Sequence, residues 1–165
     1  MALTALAGCK RARHDENALV PERNAPLASV VNVNDPATPA QLVRGFYAVE
    51  GGAWRWTAKD FEVALKPPPD AAEKGVRLVF RLNAPEAVIS KFGAITLSAS
   101  LNGLQLAPET YSKPGDYVYS RDIPATALKG DAVVAEFHSD KSMPPSVGDR
   151  RELALIAVSF GLESK

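Results

Sequence analysis

Three things are scarce in this chain, and each scarcity removes a class of protein. The 165 residues include one cysteine, so the chain can form neither an internal disulfide nor a zinc cluster of thiolates. The 19 basic side chains equal the 19 acidic ones, so the chain lacks the positive field that attracts nucleic acid. No apolar run approaches the roughly 18 residues of a membrane-spanning helix. We therefore expect a chain that folds by packing alone, binds no nucleic acid and reaches a membrane only through a lipid.

Catalytic motifs are missing as well. The sequence has no Gly-x-Ser-x-Gly elbow, no phosphate-binding loop and no dinucleotide fingerprint. His14 and His138 are far apart, so no pair of metal ligands or catalytic base is apparent, and we expect His138 to lie in a loop. These absences favour a protein that is not an enzyme and has no cofactor; the sequence leaves a structural calcium ion open.

The single cysteine, Cys9, has a distinctive setting. It directly follows Leu6, Ala7 and Gly8, and a charged run begins at Lys10. The order leucine, small, small, cysteine resembles the lipobox of bacterial lipoproteins, in which the cysteine thiol receives a diacylglycerol and becomes the mature N-terminus. A secretory signal needs an apolar region of roughly 7 to 15 residues after a positive segment, so we expect the start of the signal to be missing. The alternative is a free cysteine near a disordered terminus.

The lipobox resemblance implies a location. Two or three acyl chains, such as palmitate, on Cys9 suffice for stable attachment to a bilayer, whereas one chain anchors only marginally. The protein is then expected in the bacterial cell envelope, with the membrane as a partner. By analogy with enterobacterial lipoproteins, Lys10 in place of an aspartate implies the outer membrane, facing the periplasm or the surface.

Composition divides the chain into three parts. Residues 1–9 are interpreted as the remnant of the lipoprotein signal. Residues 10–40 mix charged residues with four prolines and show no sustained periodicity, so they predict a flexible, disordered tether. The apolar cluster at residues 27–31 either adds an edge strand or stays disordered. In residues 41–165, short apolar runs alternate with turn residues at the spacing typical of an all-β sandwich.

The pattern of the β-domain predicts about eight strands. In residues 95–101, apolar residues occupy the odd positions and hydroxyl-bearing residues the even ones, as in a strand with one buried face. Asn102-Gly103 is the preferred pair for a two-residue type I′ hairpin, because both positions need positive φ. Short helices are expected within residues 70–75 and 84–92. The predicted strands are residues 42–49, 60–65, 76–82, 94–101, 104–106, 116–123, 132–138 and 153–162.

Three segments occur in a familiar order: residues 45–57, the hairpin at Asn102-Gly103, and residues 144–155. Together they resemble β-sandwich modules found beside bacterial glycosyltransferases, which are related in shape to galactose-binding-like jelly rolls. In that group a Gly-aromatic-Tyr segment leads through a glutamate to an Arg-Trp pair, and the last strand opens with Asp, Arg and Glu-Leu-Gly. This chain has Ala154 in place of that glycine. The resemblance implies an antiparallel jelly-roll β-sandwich over about residues 42–163.

Aromatic residues near the start of this domain are candidate ligand contacts. Trp54 and Trp56 are the only tryptophans, and in an extended strand they point to one face. Flat aromatic rings beside polar groups are suited to stacking on the apolar C–H faces of sugar rings. Tyr47 extends the aromatic surface. The competing interpretation is that at least one tryptophan packs in the core or at its edge, because Trp is highly buried on average.

Charged residues form a second candidate group. Arg55 points to the face opposite the tryptophans. The resemblance implies that the segments with Glu50, Asp149 and Glu152 lie on adjacent strands or loops, which makes these three its candidate carboxylate partners. Such a pair either fixes the geometry of that corner or presents hydrogen-bonding groups to ligand hydroxyls. Of two consecutive arginines in the late segment, we expect Arg151 to join this cluster.

The sequence therefore predicts a lipid-anchored, non-catalytic β-sandwich of the carbohydrate-binding type. An alternative is a structural or protein-interaction lipoprotein of an envelope assembly, whose exposed aromatic residues contact a protein. A glycoside hydrolase is the third class. It needs two carboxylates about 5 to 10 Å apart across a cleft, and Glu50 with Asp149 or Glu152 is the only pairing to test. Neighbouring arginines lower the pKa of such carboxylates and make them poor general acids.

Overall fold

The computed structural model describes residues 26–165, and within them the chain forms nine strands and two short α-helices. Cys9, with its lipobox, and residues 10–25 of the expected tether lie outside the described residues. The helices are α1 (Ala71–Lys74) and α2 (Glu86–Phe92), and 3₁₀ turns cover Pro39–Gln41 and Ala125–Ala127. The strands are β1 (Val30–Asn32), β2 (Leu42–Glu50), β3 (Trp54–Leu65), β4 (Val76–Ala84), β5 (Ile95–Leu101), β6 (Leu104–Tyr111), β7 (Gly115–Ile123), β8 (Val133–Ser139) and β9 (Ile156–Ser164).

The strands form two layers that share β3. All pairings are antiparallel, in the order β6-β5-β8-β3-β9-β4-β7, with β1 beside β9 and β2 beside β3. The beginning of β3 pairs with β9 through Arg55 and Trp56, whereas residues 60–65 of the same strand pair with β8. The first layer therefore holds β7, β4, β9 and β1, and the second holds β6, β5 and β8. The expected all-β antiparallel sandwich is confirmed.

Four phenylalanines fill the centre between the layers. Phe80 and Phe160 stack within the first layer with ring centroids 4.3 Å apart, and Phe61 and Phe137 stack within the second at 5.1 Å. Across the layers, the centroids of Phe80 and Phe137 are 5.1 Å apart. All four side chains are buried, and burial of each stabilises the fold by about 1.5 to 3 kcal/mol. Because side chains alternate along a strand, their chain neighbours point outward.

Gly45 lets β2 follow β3 from one layer toward the other. Its φ is +80°, and a Cβ at this position would collide with the carbonyl oxygen of Asp60 and with Phe61. The register of the β2–β3 pair shifts between Arg44 and Phe46, the two residues that flank Gly45. The glycine thus permits a bulge at the corner that a side chain would block.

The described part of the expected tether packs on the domain. Val31 of β1 pairs with Phe160 of β9, and both Val31 and Val33 are fully buried. The buried Gln41 side chain accepts a hydrogen bond from the Ala28 amide and donates to the Ala28 carbonyl. Of the two alternatives for residues 27–31, the structure therefore shows the edge strand. A three-residue strand is too short for period-2 alternation to reveal it.

Most predicted strands are present, with different lengths at some ends. Asn102 and Gly103 have φ of 47° and 83°, which confirms the type I′ hairpin. The strand predicted at residues 104–106 continues to Tyr111, and that predicted at 60–65 begins at Trp54. The expectation of a loop at His138 was wrong, because His138 pairs within β8 with strands on both sides.

Candidate functional site

Trp54 and Trp56 form an aromatic platform on the outside of the first layer. Their rings meet edge to face, with centroids 6.2 Å apart and planes at 81°, so they share a face as expected. Between them, Arg55 pairs with the buried Ala157, so that the tryptophans point away from the core. Both are only partly buried, and neither belongs to the core cluster. The structure therefore does not place either tryptophan within the core, whereas their partial burial agrees with packing at its edge.

An arginine clamp lies at the end of the hairpin that carries the platform. Arg151 donates from Nε and Nη2 to the two carboxylate oxygens of Asp149, at 3.0 and 2.7 Å. Its Nη1 donates to Glu50 Oε1 at 2.6 Å, and the guanidinium lies 5.4 Å from the centre of the Tyr47 ring. Glu50 is the cross-strand partner of Trp54. The structure thus brings Tyr47, Glu50, Asp149 and Arg151 together at the edge of the platform.

The clamp favours the ionised form of Asp149. Hydrogen bonds from Arg151 lower the pKa of Asp149 to about 2. The same contacts, first with Asp149 and then with Glu50, raise the pKa of the Arg151 guanidinium. A general acid for glycoside hydrolysis must carry a proton near neutral pH. Asp149 does not supply one.

Glu152 is also occupied. Its Oε1 accepts a hydrogen bond from Ser142 Oγ at 3.0 Å, and its Oε2 accepts one from the Lys59 amide at 3.3 Å. Its own amide donates to the Tyr47 hydroxyl at 3.1 Å. These contacts fix the segment before β9 against β2 and β3.

Within the part of the chain that the structure describes, Arg55 pairs with no carboxylate, so the expected pairing with Glu50, Asp149 or Glu152 was wrong. Its Nε donates to the Val33 carbonyl at 2.6 Å and its Nη1 to the Tyr47 carbonyl at 2.8 Å. Strand alternation turns Arg55 to the face opposite the tryptophans, where main-chain carbonyls of neighbouring segments lie within reach. Arg55 therefore ties the segment after β1 to β2 rather than contributing to the platform.

The outer face of the first layer continues beyond the platform. Trp56 pairs with Ile156, which pairs in turn with Asn83 of β4. Asn83 Nδ2 donates to Asp116 Oδ1 on β7 at 2.8 Å. Beside this row lies a depression of about 340 Å³, lined by Arg81, Leu82, Asp116, Tyr117, Val118 and Val158. Apolar and polar groups are thus mixed across the whole face.

Sequence reasoning missed a polar groove on the outside of the second layer. The groove has a volume of about 250 Å³ and crosses β2, β3, β8, β5 and β6. A signal was present, because residues 60–62, 98–100 and 136–138 each place two polar side chains on either side of one apolar residue. Its polar lining consists of Arg44, Asp60, Ser98, Ser100, Gln105, Glu136 and His138.

Two further observations concern metals and membranes. Within residues 26–165, no group of three or more histidine, cysteine, aspartate or glutamate side chains is placed to hold a metal ion. No helix in this same range is both long enough and apolar enough to cross a membrane.

Comparison with known proteins finds similarity of shape only. No family model matches the sequence. No curated protein matches it either. The fold is similar to part of an acetyl xylan esterase from the rumen bacterium Butyrivibrio proteoclasticus, with a TM-score of 0.48 and 11% identity over 84% of this chain and 33% of that chain. This chain therefore spans about a third of the esterase's length.

Two other solved structures are similar. One is a family 35 carbohydrate-binding module from an environmental isolate, with a TM-score of 0.38 and 14% identity over 87% of this chain and 90% of that chain. The other is dimeric latent PorU from Porphyromonas gingivalis, with a TM-score of 0.37 and 16% identity over 64% of this chain and 10% of that chain. These similarities concern the shape of the β-domain and not its ligand.

Proposed function

We propose that this protein is a non-catalytic carbohydrate-binding module whose ligand stacks on the aromatic platform of Trp54 and Trp56. The observation that carries the proposal is the position of the pair. Two large aromatic side chains lie together on the outer face of a sheet, partly exposed and outside the core. Tryptophan is highly buried on average, so a pair that is partly exposed on an outer face favours a binding role.

The surroundings of the platform suit a sugar. The perpendicular indoles offer one ring face and one ring edge, which fit the C–H face of a pyranose and its neighbour. Glu50, held by Arg151 beside Trp54, offers carboxylate oxygens as acceptors for ligand hydroxyls. Stacking supplies contact area, and the clamp supplies orientation.

Binding to a glycan array, followed by calorimetry with the best neutral glycan, tests the proposal. Trp54→Ala and Trp56→Ala should each lower the affinity by about tenfold or more, as for central aromatic contacts. Phe92→Ala is the matched control, since Phe92 is a partly exposed aromatic residue on α2. Absence of any glycan ligand, or unchanged affinity in both tryptophan variants, would contradict the proposal.

We further propose that a lipid on Cys9 anchors the module in the bacterial cell envelope. The support is the sequence Leu6, Ala7, Gly8, Cys9, which matches the lipobox. Mass spectrometry of the protein from the native membrane fraction should show a mature chain that begins at Cys9 with added diacylglycerol mass. Cys9→Ser should leave the protein unmodified and in the soluble fraction. Recovery of this protein from the native membrane fraction with Cys9 unmodified would contradict the lipid anchor.

A protein partner is the second candidate function, and one observation favours it. Val118 and Val158 are 46% and 40% exposed and lie together in the depression on the first layer. Exposed apolar patches mark protein contacts as well as ligand grooves. If a protein is the ligand, Val118→Ser and Val158→Ser should reduce cross-linking to one envelope protein in cells. Glycan binding that depends on the tryptophans, with unchanged cross-linking, would argue against this alternative.

A further inference from the structure

The polar groove on the second layer is built from two rows of side chains that cross the strands. The first row runs across five strands, in the order Arg44, Glu62, Glu136, Ser100 and Gln105, and each residue is the cross-strand partner of the next. In the second row, His138 lies between Asp60 and Ser98. Residues that are directly paired point to the same face, so both rows project outward from the sheet.

Internal contacts orient the charged members of the groove. Arg44 contacts Glu62 at 2.6 Å, and His138 Nδ1 lies 2.7 Å from Asp60 Oδ1. Ser100 donates to Glu136 Oε2 at 2.7 Å. These contacts use one oxygen of each carboxylate, and no hydrogen bond within residues 26–165 occupies the other. The second oxygens of Asp60 and Glu136, which line the groove, can therefore accept a hydrogen bond from a ligand.

Two uncharged side chains in the groove are not engaged. Among the hydrogen bonds of the described residues, none involves the Ser98 hydroxyl or the Gln105 side-chain amide. The backbone of the groove is therefore fixed by strand pairing, while these side chains remain available as both donors and acceptors. Ala99 and Phe137 also contribute to the lining.

The arrangement is unfavourable for stability alone. Glu62 and Glu136 lie directly opposite each other on neighbouring strands, and like charges in that position destabilise a sheet. The two rows hold three carboxylates, those of Asp60, Glu62 and Glu136, but only one guanidinium, that of Arg44, and one imidazole, that of His138. Natural proteins violate such local rules chiefly at functional or strained sites.

We propose that the polar groove is a second ligand-binding site, which takes a neutral, hydroxyl-rich glycan. Each ligand hydroxyl both donates and accepts, and the groove presents donors, acceptors and groups that do both. The excess of carboxylates repels glycans that carry carboxylate groups. The groove lies on the outer face opposite the aromatic platform, so the two sites can be occupied at once.

The test uses the full chain carrying Trp54→Ala and Trp56→Ala, which removes the platform and leaves the groove. Neutral hexasaccharides of glucose, xylose, mannose and N-acetylglucosamine are titrated, with a galacturonate hexamer as the charged comparison. We expect saturable NMR shifts of the Ser98, Gln105 and His138 resonances with a neutral glycan and no shift with the galacturonate hexamer. Shifts that spare these residues, or no shift with any neutral hexasaccharide, would overturn the proposal.

Single substitutions, added to the same chain that carries Trp54→Ala and Trp56→Ala, then test individual groove residues. Glu136→Gln should weaken neutral-glycan binding about tenfold, because it replaces a charged acceptor, and should reduce the discrimination against galacturonate. Ser98→Ala should weaken binding without altering that discrimination. Glu73→Gln, on the exposed surface of α1, is the matched control. Equal affinities in Glu136→Gln, Ser98→Ala and this control would exclude the groove as the site.

Discussion

Arg151 reaches back 101 positions along the chain to donate a hydrogen bond of 2.6 Å to Glu50. Through this contact the segment before β9 holds the end of β2, directly opposite the first residue of the aromatic platform. Asp149 engages the other edge of the same guanidinium. The planar guanidinium group has several N–H donors in fixed directions and can bind two carboxylates in this way, whereas the ammonium group of a lysine acts as a point charge.

Arg151→Lys should therefore weaken the clamp although the charge is kept. We expect the free energy of unfolding to fall by about 1 kcal/mol, since both side chains of the pair are partly exposed. Urea denaturation measures the change. Arg150→Lys is the control, because Arg150 is exposed and adjacent. Equal stability of the two variants would contradict a stabilising role of the Arg151 guanidinium geometry.

The clamp also predicts a dependence on pH. Arg151 lowers the pKa of Asp149 to about 2 in the folded protein, whereas an unfolded aspartate titrates near 3.9. Asp149 therefore contributes its full stabilisation above about pH 4 and loses it as the pH falls toward 2. Across that interval, the urea midpoint should fall more steeply in the natural protein than in Asp149→Asn. Parallel pH profiles would refute this assignment.

Two buried tyrosines should respond oppositely to loss of their hydroxyls. Tyr119 donates to the Ala107 carbonyl at 2.9 Å, so Tyr119→Phe should cost about 1 kcal/mol. The Tyr111 hydroxyl is buried and has no hydrogen-bond partner among residues 26–165. Tyr111→Phe should therefore leave the free energy of unfolding unchanged or raise it by up to about 1 kcal/mol. A loss in Tyr111→Phe as large as that in Tyr119→Phe would be the contrary result.

Gly45→Ala should distort the corner between the layers. The new methyl group would meet the Asp60 carbonyl oxygen in addition to the strain of a positive φ. Gly93→Ala isolates the second effect, because Gly93 has the same φ of +80° and open space around it. We expect Gly45→Ala to be less stable than Gly93→Ala by at least about 2 kcal/mol in urea denaturation. Similar losses would show that the close approach at Gly45 is relieved without cost.

Local rules were enough for much of the fold. The Asn102-Gly103 hairpin followed from the φ that its turn type requires, and the alternation in residues 95–101 identified the buried face of β5. The beginning of β3 was not recognised as part of the same strand, because Arg55 and Lys59 interrupt its apolar pattern. Which layer a strand joins depends on long-range pairing that local periodicity does not contain.

The candidate site was predictable in composition but not in contacts. The family resemblance implied a cluster of Glu50, Asp149 and Glu152 around Arg55, joined by Arg151. In the structure Glu50 and Asp149 contact Arg151 instead. Arg55 was assigned a carboxylate partner because opposite charges attract, but the nearest acceptors on its face are main-chain carbonyls. The polar groove needed the register of five strands, since its rows combine residues that are distant in sequence.

The two tryptophans are the only ones in the chain, and both lie in the platform. Intrinsic fluorescence excited at the indole band therefore reports on this one surface of the folded protein. A ligand that stacks on the platform will change the emission, whereas a ligand held in the groove on the other layer will leave it nearly constant. The protein thus carries its own optical probe, which can assign each ligand to one of the two faces without labelling.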